Sequence, residues 1–465
     1  MHEENRHLNE FECKGKWWLP DKPKLKISGI LKFSSKDGGT LELFGILDPE
    51  NKVYLTRIRD FPILLGLTTE GEKTTLKDCT EISYSFDSST SNSSLDFTSL
   101  FRKAHFKREE NIKFANVDVS YSYLCEWIGI WGFRYLDEDE GKGSFSVKYK
   151  PPEPFKINIS NFSLSIIYKT EKMIGHKDIT VSKRAYLRIE FNDKKEHSFK
   201  EFWNIINKIK NFLSIFIWIE PVFPLMIDGK TELNKKSFNN KVTFHPSVEV
   251  LIQDKYIQTE KNVGFYDMLI RFENIKDRLE LYLNNWFKKT ELLDPFFNLY
   301  FGLLYNPHLY LPLQFLSLIQ ALEFYHKKVY KGVYISNEAY QEIYNTLIQV
   351  IPPETDKQLK KRLREYLEHG NEFSLRKRLQ DILKELDWLM FLLFEKKKDF
   401  INEAVKLRNH FTHPSTTFQV DDYKIFHAVE VLYRIVTAIM LRDIGFDYKE
   451  LEHLFNNNRL FRKIL

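Results

Sequence analysis

The sequence predicts an α+β protein in which a β-rich, sandwich- or barrel-like N-terminal domain is followed by a C-terminal all-α helical bundle. Apolar and polar residues alternate with a period of two over much of the first two hundred residues, as they do in half-buried strands. From about Gly264 onward the apolar period is 3.6, which is typical of helices that bury one face. The pattern shows no regular strand-helix-strand alternation, so a parallel nucleotide-binding sheet is not expected.

The N-terminal half is predicted to contain short strands separated by turns. Residues 24–33 alternate leucine, isoleucine and phenylalanine with lysine and serine, and the turn signal Asp-Gly-Gly follows at residues 37–39. Residues 85–99, which are rich in Ser, Thr, Asn and Asp, are predicted to form a surface loop. Similar alternating patterns predict further strands at residues 40–47, 53–58, 157–168 and 185–191.

The C-terminal half is predicted to be a series of amphipathic helices. In residues 314–326, apolar side chains and His326 recur at i, i+3, i+4, i+7 and i+11. A first helix is predicted earlier, at residues 199–219, where Pro221 ends it. Further helices are predicted at residues 338–350, 357–369, 375–394, 398–411, 423–442 and 448–455. We therefore expect a β-rich domain at residues 1–262, a helical connector at 263–310 and a helical domain at 311–465.

The composition excludes several classes of protein. The 69 Lys and Arg residues exceed the 64 Asp and Glu residues by only five over 465 residues, which is too little for a protein that coats nucleic acid through bulk charge. Cys13, Cys79 and Cys125 are an odd number and lie far apart, so neither a disulfide framework nor a structural zinc site is expected. We expect no cofactor and no metal.

The chain is expected to be cytoplasmic and to make no membrane contact. Its first residues lack the apolar core of a signal peptide. The longest apolar stretch, residues 212–227, is interrupted by Glu220, Pro221 and Pro224 and is shorter than the roughly 20 clean residues that a spanning helix needs.

The segment at residues 407–414, Leu-Arg-Asn-His-Phe-Thr-His-Pro, is the strongest candidate for chemistry. Pro414 disfavours the α conformation at the preceding residue, so His413 is predicted to lie where a helix opens into a loop. The guanidinium of Arg408 can stabilise negative charge on a phosphoryl group, and an imidazole can move protons at neutral pH. These groups can cleave RNA without a metal if a base deprotonates the 2′-hydroxyl and an acid protonates the departing 5′-oxygen.

The spacing alone is not distinctive, because Arg364 and His369 show it too. That copy lies in a run of Lys, Arg and Glu before Gly370, which is typical of a solvated helix face. The context of Arg408 differs, since a long apolar helix follows it and the helix that contains Glu323 precedes it.

In this context the chain resembles the HEPN ribonucleases, and specifically the ApeA-like HEPN proteins of bacterial antiphage defence. Residues 407–413 resemble the family's Arg-polar-x(3–5)-His motif, and Leu-Ser-Leu-Ile-Gln-Ala-Leu-Glu at residues 316–323 is similar to its first helix. Patches of the N-terminal half are similar to the N-terminal domain of ApeA-like proteins: Trp-Trp-Leu-Pro at 17–20, Ser-Gly-Ile-Leu at 28–31, Gly-Thr-Leu-Glu-Leu at 39–43, Ile-Leu-Leu-Gly at 63–66, Gly-Glu-Lys-Thr-Thr-Leu at 71–76 and Glu-Trp-Ile-Gly at 126–129.

The resemblance implies a metal-independent endoribonuclease that acts in abortive infection, with Arg408 and His413 as the catalytic pair. It implies that Asn409 positions the pair, that Glu323 supports it, and that two chains form one composite site in a homodimer or a higher homo-oligomer. His410 departs from any fixed requirement of the motif, and either a second proton-transfer role or a place inside the bundle fits it. RNA is the expected substrate, with tRNA as one candidate, and a phage protein is a candidate trigger for an enzyme that rests inactive under control of the β-rich domain.

Other interpretations of these residues stay open. Arg408 and His413 fit an interhelical hydrogen bond and a helix C-terminal cation, Glu323 fits a salt-bridged helix residue, and His326 fits a core histidine. The basic runs at 376–378 and 396–398 fit either RNA contacts or a solvent-exposed surface. Gly-Lys-Gly-Ser at 141–144 lacks the full spacing of a phosphate-binding loop. Four tryptophans are predicted to be core or domain-junction residues rather than a base-stacking platform: Trp17, Trp18, Trp127 and Trp131.

A second function is also compatible with the same fold. In that alternative, the helical domain is a catalytically idle RNA-binding or protein-interaction module, and the β-rich domain senses a ligand or a phage component.

Overall fold

The computed structural model describes residues 10–48, 59–86, 91–137, 145–176, 179–218, 220–238, 242–253, 263–264, 266–389, 397–413 and 421–458. The chain divides into two units, Met1–Asn284 and Asn285–Leu465. The strands, all in the first unit, are β1 (Phe11–Trp18), β2 (Ile27–Ser34), β3 (Gly38–Leu43), β4 (Asp60–Thr68), β5 (Lys73–Phe86), β6 (Ser91–Arg102), β7 (Lys113–Phe114), β8 (Asn116–Tyr121), β9 (Phe133–Asp137), β10 (Phe145–Tyr149), β11 (Phe155–Ile159), β12 (Phe162–Ile174), β13 (Ile179–Phe191), β14 (His197–Ser198), β15 (Pro224–Lys230), β16 (Lys236–Phe238), β17 (Val242–Phe244) and β18 (Val248–Ile252).

The helices occur in both units. They are α1 (Leu124–Ile128), α2 (Phe199–Ile217), α3 (Phe272–Ile275), α4 (Leu279–Leu292), α5 (Asp294–Leu304), α6 (Leu311–Tyr330), α7 (Asn337–Val350), α8 (Lys357–Glu368), α9 (Leu375–Glu385), α10 (Lys397–Thr412), α11 (Asp422–Ile444) and α12 (Tyr448–Asn457).

Six strands of the first unit close into an antiparallel barrel. The order is β6-β3-β2-β1-β4-β5, and β5 pairs back with β6 to complete the ring. The apolar residues of the alternating pattern fill its interior. Two aromatic rings in the barrel pack directly on glycines of the neighbouring strand. A Cβ on Gly66 would lie 2.1 Å from the Trp17 ring, and a Cβ on Gly39 would lie 1.8 Å from the Phe97 ring, so both positions require glycine. The predicted sandwich or barrel is therefore a barrel.

Further strands extend the barrel into a twelve-stranded sheet. The last residues of β6 pair with β18, and the sheet continues through β15, β8, β13, β12 and β11. Helix α2 packs on this extension, where the Tyr121 hydroxyl on β8 donates a hydrogen bond to the Ile206 carbonyl at 3.0 Å. The helix begins with a capping box between Ser198 and Glu201, so its first turn is well satisfied.

Several element predictions need correction. Residues 91–99 of the predicted surface loop are instead part of β6, whose neighbours in the barrel supply its hydrogen-bond partners. Residues 85–86 end β5, and residues 87–90 lie outside the described residues. The strand predicted at 157–168 is two strands, β11 and β12, since Ser160 adopts a positive φ of 45° and turns the chain. The helix predicted at 375–394 is interrupted at Leu386, residues 387–389 are helical again, and residues 390–394 lie outside the described residues. The strand predicted at 53–58 lies outside the described residues.

The second unit is a helical bundle centred on α6 and α11. Helix α11 is buried over most of its length. Its Thr437 hydroxyl and the Tyr300 hydroxyl of α5 form a hydrogen bond of 2.9 Å. Helix α6 buries one face against α5, α9 and α11, as its period of 3.6 predicts. The β-rich domain followed by a helical bundle is the predicted fold class. In the part of the chain that the structure describes, no helix has both the length and the apolar character to cross a bilayer.

Candidate functional site

Helix α10 positions the Arg-polar-x3-His segment. Its buried residues are Phe400, Ile401, Ala404 and Leu407, which recur at helical spacing and hold the helix against the bundle. Arg408 follows in the last turn and is half-buried, whereas His413 is exposed immediately after the helix end. The sequence prediction that His413 lies where the helix opens is confirmed.

The backbone of this segment holds His413 in a defined place. The His413 N–H donates a hydrogen bond to the Asn409 carbonyl at 2.7 Å, and the Thr412 hydroxyl donates to the Arg408 carbonyl at 2.9 Å. These bonds continue the helical pattern by one residue, so the imidazole begins from a fixed backbone. The Asn409 side chain is exposed beside it.

Glu323 on α6 lies within electrostatic reach of Arg408. Helices α6 and α10 are neighbours, and the Phe315 and Phe411 rings meet edge to face with centroids 6.0 Å apart. Burial raises the pKa of the Glu323 carboxyl, while the positive charges of Arg408 and Arg378 act in the opposite direction. The structure therefore places Glu323 and Arg408 within electrostatic range of each other, although they are far apart in the chain.

Arg378 is a site residue that the sequence interpretation missed. Its guanidinium is buried and donates to the Glu372 carboxylate at 2.8 Å, to the Phe373 carbonyl at 2.8 Å and to the Glu323 carbonyl at 3.3 Å. The basic run at 376–378 was expected to be a solvent-exposed surface or an RNA contact. For Arg378 both interpretations are wrong. The signal in the sequence was the apolar spacing of α9, on whose inner face Arg378 lies beside Leu379.

His410 and His326 occupy different environments. His410 is half-buried on α10 and its ring contacts Phe411 with centroids 5.4 Å apart. His326 is fully buried, shares a 3.2 Å hydrogen bond with the Asp381 carboxylate, and stacks on Tyr330. Burial lowers the pKa of His326, while the Asp381 carboxylate opposes that shift. The interpretation of His326 as a core histidine is confirmed.

The second Arg-x4-His segment is solvated, as its sequence context predicts. Arg364 is exposed on α8, and His369 is exposed after the helix and pairs with Glu372 at 3.3 Å. Neither residue contributes to the cluster around Arg408 in the described contacts. The glycine-rich segment at 141–144 lies outside the described residues.

The tryptophans divide into two groups. Trp17, Trp18 and Trp127 are buried, which confirms the prediction for those three. Trp131 is 77% exposed, so it is not a core residue. It lines a cavity of about 590 Å³ in the first unit, together with Cys125, Phe133 and Lys183. The Lys183 ammonium donates to the Trp131 carbonyl at 3.3 Å and fixes the loop that presents the indole.

The described residues hold no group of three or more His, Cys, Asp or Glu side chains arranged to bind a metal ion. The donor set around Arg408 consists of a guanidinium, an amide, imidazoles and one carboxylate. Such a set suits the binding of an anionic phosphodiester and the transfer of protons.

The raised pKa of Glu323 predicts a pH-dependent effect of its neutral analogue. As pH rises past the ordinary value near 4.5, the unfolded chain releases this proton while the folded chain still holds it, so the contribution of Glu323 to stability falls. Glu323→Gln has no carboxyl at this position, so the variant does not show this loss of stability with rising pH. In urea unfolding at pH 4 and pH 7.5, we expect the variant to gain stability relative to the wild type at the higher pH.

Glu338→Gln is a control of opposite sign. Hydrogen bonds from its own N–H and from Ser336 lower the pKa of the Glu338 carboxyl, so the charged form is favoured in the folded state. This variant should lose stability relative to the wild type as pH rises. A Glu323→Gln difference that is the same at both pH values would contradict the environment described for Glu323.

The architecture and the site together define a class: a HEPN-type helical domain that follows a large β-rich domain. Residues 316–450 match the model of the Apea-like HEPN family, and residues 12–286, more than half of the chain, match ApeA N-terminal domain 1. The chain belongs to the ApeA-like HEPN family, whose members are HEPN-type nucleases of antiphage defence. No curated protein and no solved structure shows a match.

Proposed function

We propose that this protein is a metal-independent endoribonuclease in which Arg408 and His413 of two chains form one composite site. The observation that supports the proposal is the pairing at the end of α10 of a half-buried Arg408, electrostatically coupled to Glu323, with an exposed His413 whose N–H is held by the Asn409 carbonyl. A half-buried guanidinium in the last turn of a helix can bind a phosphodiester, and an exposed imidazole is accessible for proton transfer.

The proposed reaction is transesterification by the 2′-hydroxyl of RNA. His413 of one chain takes the 2′-hydroxyl proton while the 2′-oxygen forms a bond to phosphorus. The bond from phosphorus to the 5′-oxygen breaks, and the protonated His413 of the second chain delivers a proton to that oxygen. Arg408 binds the non-bridging oxygens as negative charge develops on them. The products are a 2′,3′-cyclic phosphate and a 5′-hydroxyl, and no water, metal or oxidant is consumed.

The remaining roles are part of the same proposal. Asn409 positions His413 through its backbone carbonyl and offers an exposed amide to the substrate. Glu323 supports Arg408 electrostatically. His410 has two candidate roles, as a second proton-transfer group and as a packing residue against Phe411. In the cell, cleavage of RNA such as tRNA after a phage-derived trigger would restrain infection by halting the host.

The cavity beside Trp131 favours a second candidate function. A volume of about 590 Å³ lined by an exposed indole, Phe133 and Lys183 suits a small aromatic or anionic ligand. On that proposal the β-rich unit senses a ligand and the helical unit is an idle interaction module. The two candidates differ in whether purified protein can cut RNA.

The test incubates the purified full-length protein with total RNA and with tRNA in excess EDTA, then determines the fragment ends. We expect fragments that end in a 2′,3′-cyclic phosphate or a 3′-phosphate and begin with a 5′-hydroxyl. Fragments with 5′-phosphate ends, or cleavage that requires a divalent ion, would refute the mechanism. A parallel arm infects cells that express the wild type or an Arg408→Ala/His413→Ala double variant, because an enzyme that awaits a trigger is silent in the first arm. Equal phage plating on both strains, with no cleavage in vitro, would favour the second candidate.

A further inference from the structure

Helices α7 and α8 form a hairpin in which no side chain is fully buried, and its most covered apolar residues are half-buried: Tyr340, Tyr344, Ile348, Leu363 and Leu367. Each helix has apolar residues at helical spacing, yet the stripe is open to solvent: Ile343 is 46% exposed, Leu347 44%, Val350 73% and Leu359 50%. A helix normally buries such a stripe, because isolated helices of this length are only marginally stable in water. In the single chain, the apolar stripe is therefore a solvent-exposed surface.

The base of the hairpin is held firmly, so the stripe has a defined position on the helical unit. The buried Asn371 side chain accepts from the Ile335 N–H at 3.1 Å and donates to the Ile335 carbonyl at 2.9 Å. Just beside it, Val333 pairs with Glu372 in an antiparallel bridge, and the Phe373 N–H donates to the Gly332 carbonyl at 2.8 Å. These bonds tie the segment before α7 to the segment after α8.

The charges of the two helices are complementary. Helix α7 contains two Glu residues and no Lys or Arg, which gives a net charge of −2. Helix α8 contains five Lys and Arg residues and two Glu residues, which gives +3. A two-fold axis that pairs two hairpins can place each α8 against the α7 of the other chain, so both contacts are attractive while the apolar stripes meet in the middle.

We propose that the α7–α8 hairpin binds the same hairpin of a second copy of this chain and forms a four-helix interface. Two antiparallel helix pairs that share an apolar centre are a stable arrangement, and exposed apolar stripes are typical of protein interfaces. RNA suits the stripe less well, because Ile343, Leu347, Val350 and Leu359 are aliphatic, and Tyr366, the exposed ring of α8, accepts a hydrogen bond from Arg362 at 3.0 Å. The inference rests on the proposed function only because both expect the protein to form a dimer. The experiments that test the inference contain no RNA.

The first experiment measures the oligomeric state of the full-length protein by sedimentation between about 0.1 and 100 µM. Leu347→Asp/Leu359→Asp introduces charge into the stripe of each helix, and we expect its self-association to be at least about 30-fold weaker than that of the wild type. Gln349→Asp/Gln358→Asp adds the same charge on the same helices outside the stripe and should associate as the wild type does. Circular dichroism confirms folding, since the stripe is already exposed in the single chain.

The second experiment tests the pairing of α7 with α8 through charge exchange. One chain carries Glu338→Lys/Glu342→Lys, and the other carries Lys360→Glu/Arg364→Glu. Each chain alone should be monomeric, because both of its contacts become repulsive, and the equimolar mixture should form a one-to-one complex. A monomeric wild type at 100 µM, stripe variants that still dimerise, or a mixture that stays monomeric would each overturn the inference. Loss of RNA cleavage in a variant that still sediments as the wild type does would likewise count against it, since the hairpin would then serve RNA.

Discussion

Replacing Arg408 or His413 with alanine is expected to lower the rate of RNA cleavage by about 10²- to 10⁴-fold, the range for loss of one proton-transfer or charge-stabilising group. His413→Ala removes the exposed imidazole but leaves the backbone bond from residue 413 to the Asn409 carbonyl, so the helix end is preserved. Arg408→Ala removes a guanidinium whose charge acts on Glu323 and leaves that carboxyl with one nearby cation fewer. Arg408→Lys should recover little activity, because an ammonium lacks the planar fork that binds two phosphoryl oxygens.

Two matched variants separate loss of chemistry from general damage. Lys406→Ala removes an exposed cation from the same helix, and His369→Ala removes an exposed histidine from the other Arg-x4-His segment. Both should cleave within about two-fold of the wild type, since surface substitutions away from a site have small effects. The measurement is the single-turnover rate on one defined RNA in EDTA, with circular dichroism to confirm folding. Cleavage by His413→Ala at the wild-type rate would remove His413 from the proposed mechanism.

The placement of the motif could be predicted from local chemistry. A proline disfavours the helical conformation one residue earlier, so the position of His413 at the end of α10 follows from Pro414 alone. The meeting of Glu323 and Arg408 could not be derived in that way. These residues lie on helices far apart in the chain, and only the resemblance to a known family connected them before the structure did.

The barrel illustrates a different limit. Alternation predicted β2 and the strands like it, but β6 begins in a run of serine and asparagine that has the composition of a loop. Its neighbours on both sides supply the hydrogen bonds that make it a strand, and barrel closure depends on that pairing. A pattern of composition does not contain such long-range partners.

Periodicity also fails to show what covers a helix. Residues 338–350 and 357–369 were predicted as helices from their stripes, and α7 and α8 match those ranges closely. The same period describes helices whose stripes face the core, as in α6, and helices whose stripes face solvent, as in the hairpin. Exposure of the stripe could be learned only from the packing.

Arg378→Met is expected to destabilise the helical unit by about 3 kcal/mol, the lower end for breaking a buried ion pair by removing one partner. The lower end applies because the Glu372 side chain is about one third exposed, whereas Arg378 is only 7% exposed. The substitution preserves much of the apolar stem but removes three hydrogen bonds, those to Glu372, to the Phe373 carbonyl and to the Glu323 carbonyl. The Phe373 and Glu323 carbonyls then lose buried donors.

Arg376→Met tests whether this loss depends on burial rather than on charge. Arg376 lies on the same helix, is exposed and bonds to the Asn402 side chain, so its loss should change the free energy of unfolding by less than about 1 kcal/mol. Urea unfolding of both variants beside the wild type measures the difference. Equal stability of the Arg378 and Arg376 variants would show that the Arg378 bonds do not hold α9 to α6.

The same variant connects the hairpin to the candidate site. Arg378 bonds to Glu372, which pairs with Val333 at the base of the hairpin, and its charge lowers the pKa of the Glu323 carboxyl. Without that charge, the pKa of Glu323 should rise further, and its carboxyl should stay protonated to higher pH. We therefore expect the Arg378→Met variant to show a larger fall in stability with rising pH than the wild type, and the added Glu323→Gln change to reduce that extra fall. The remainder belongs to Glu372, because Arg378 is one of the groups that lower the pKa of its carboxyl. An extra fall that Glu323→Gln leaves unchanged would contradict the effect of Arg378 on Glu323.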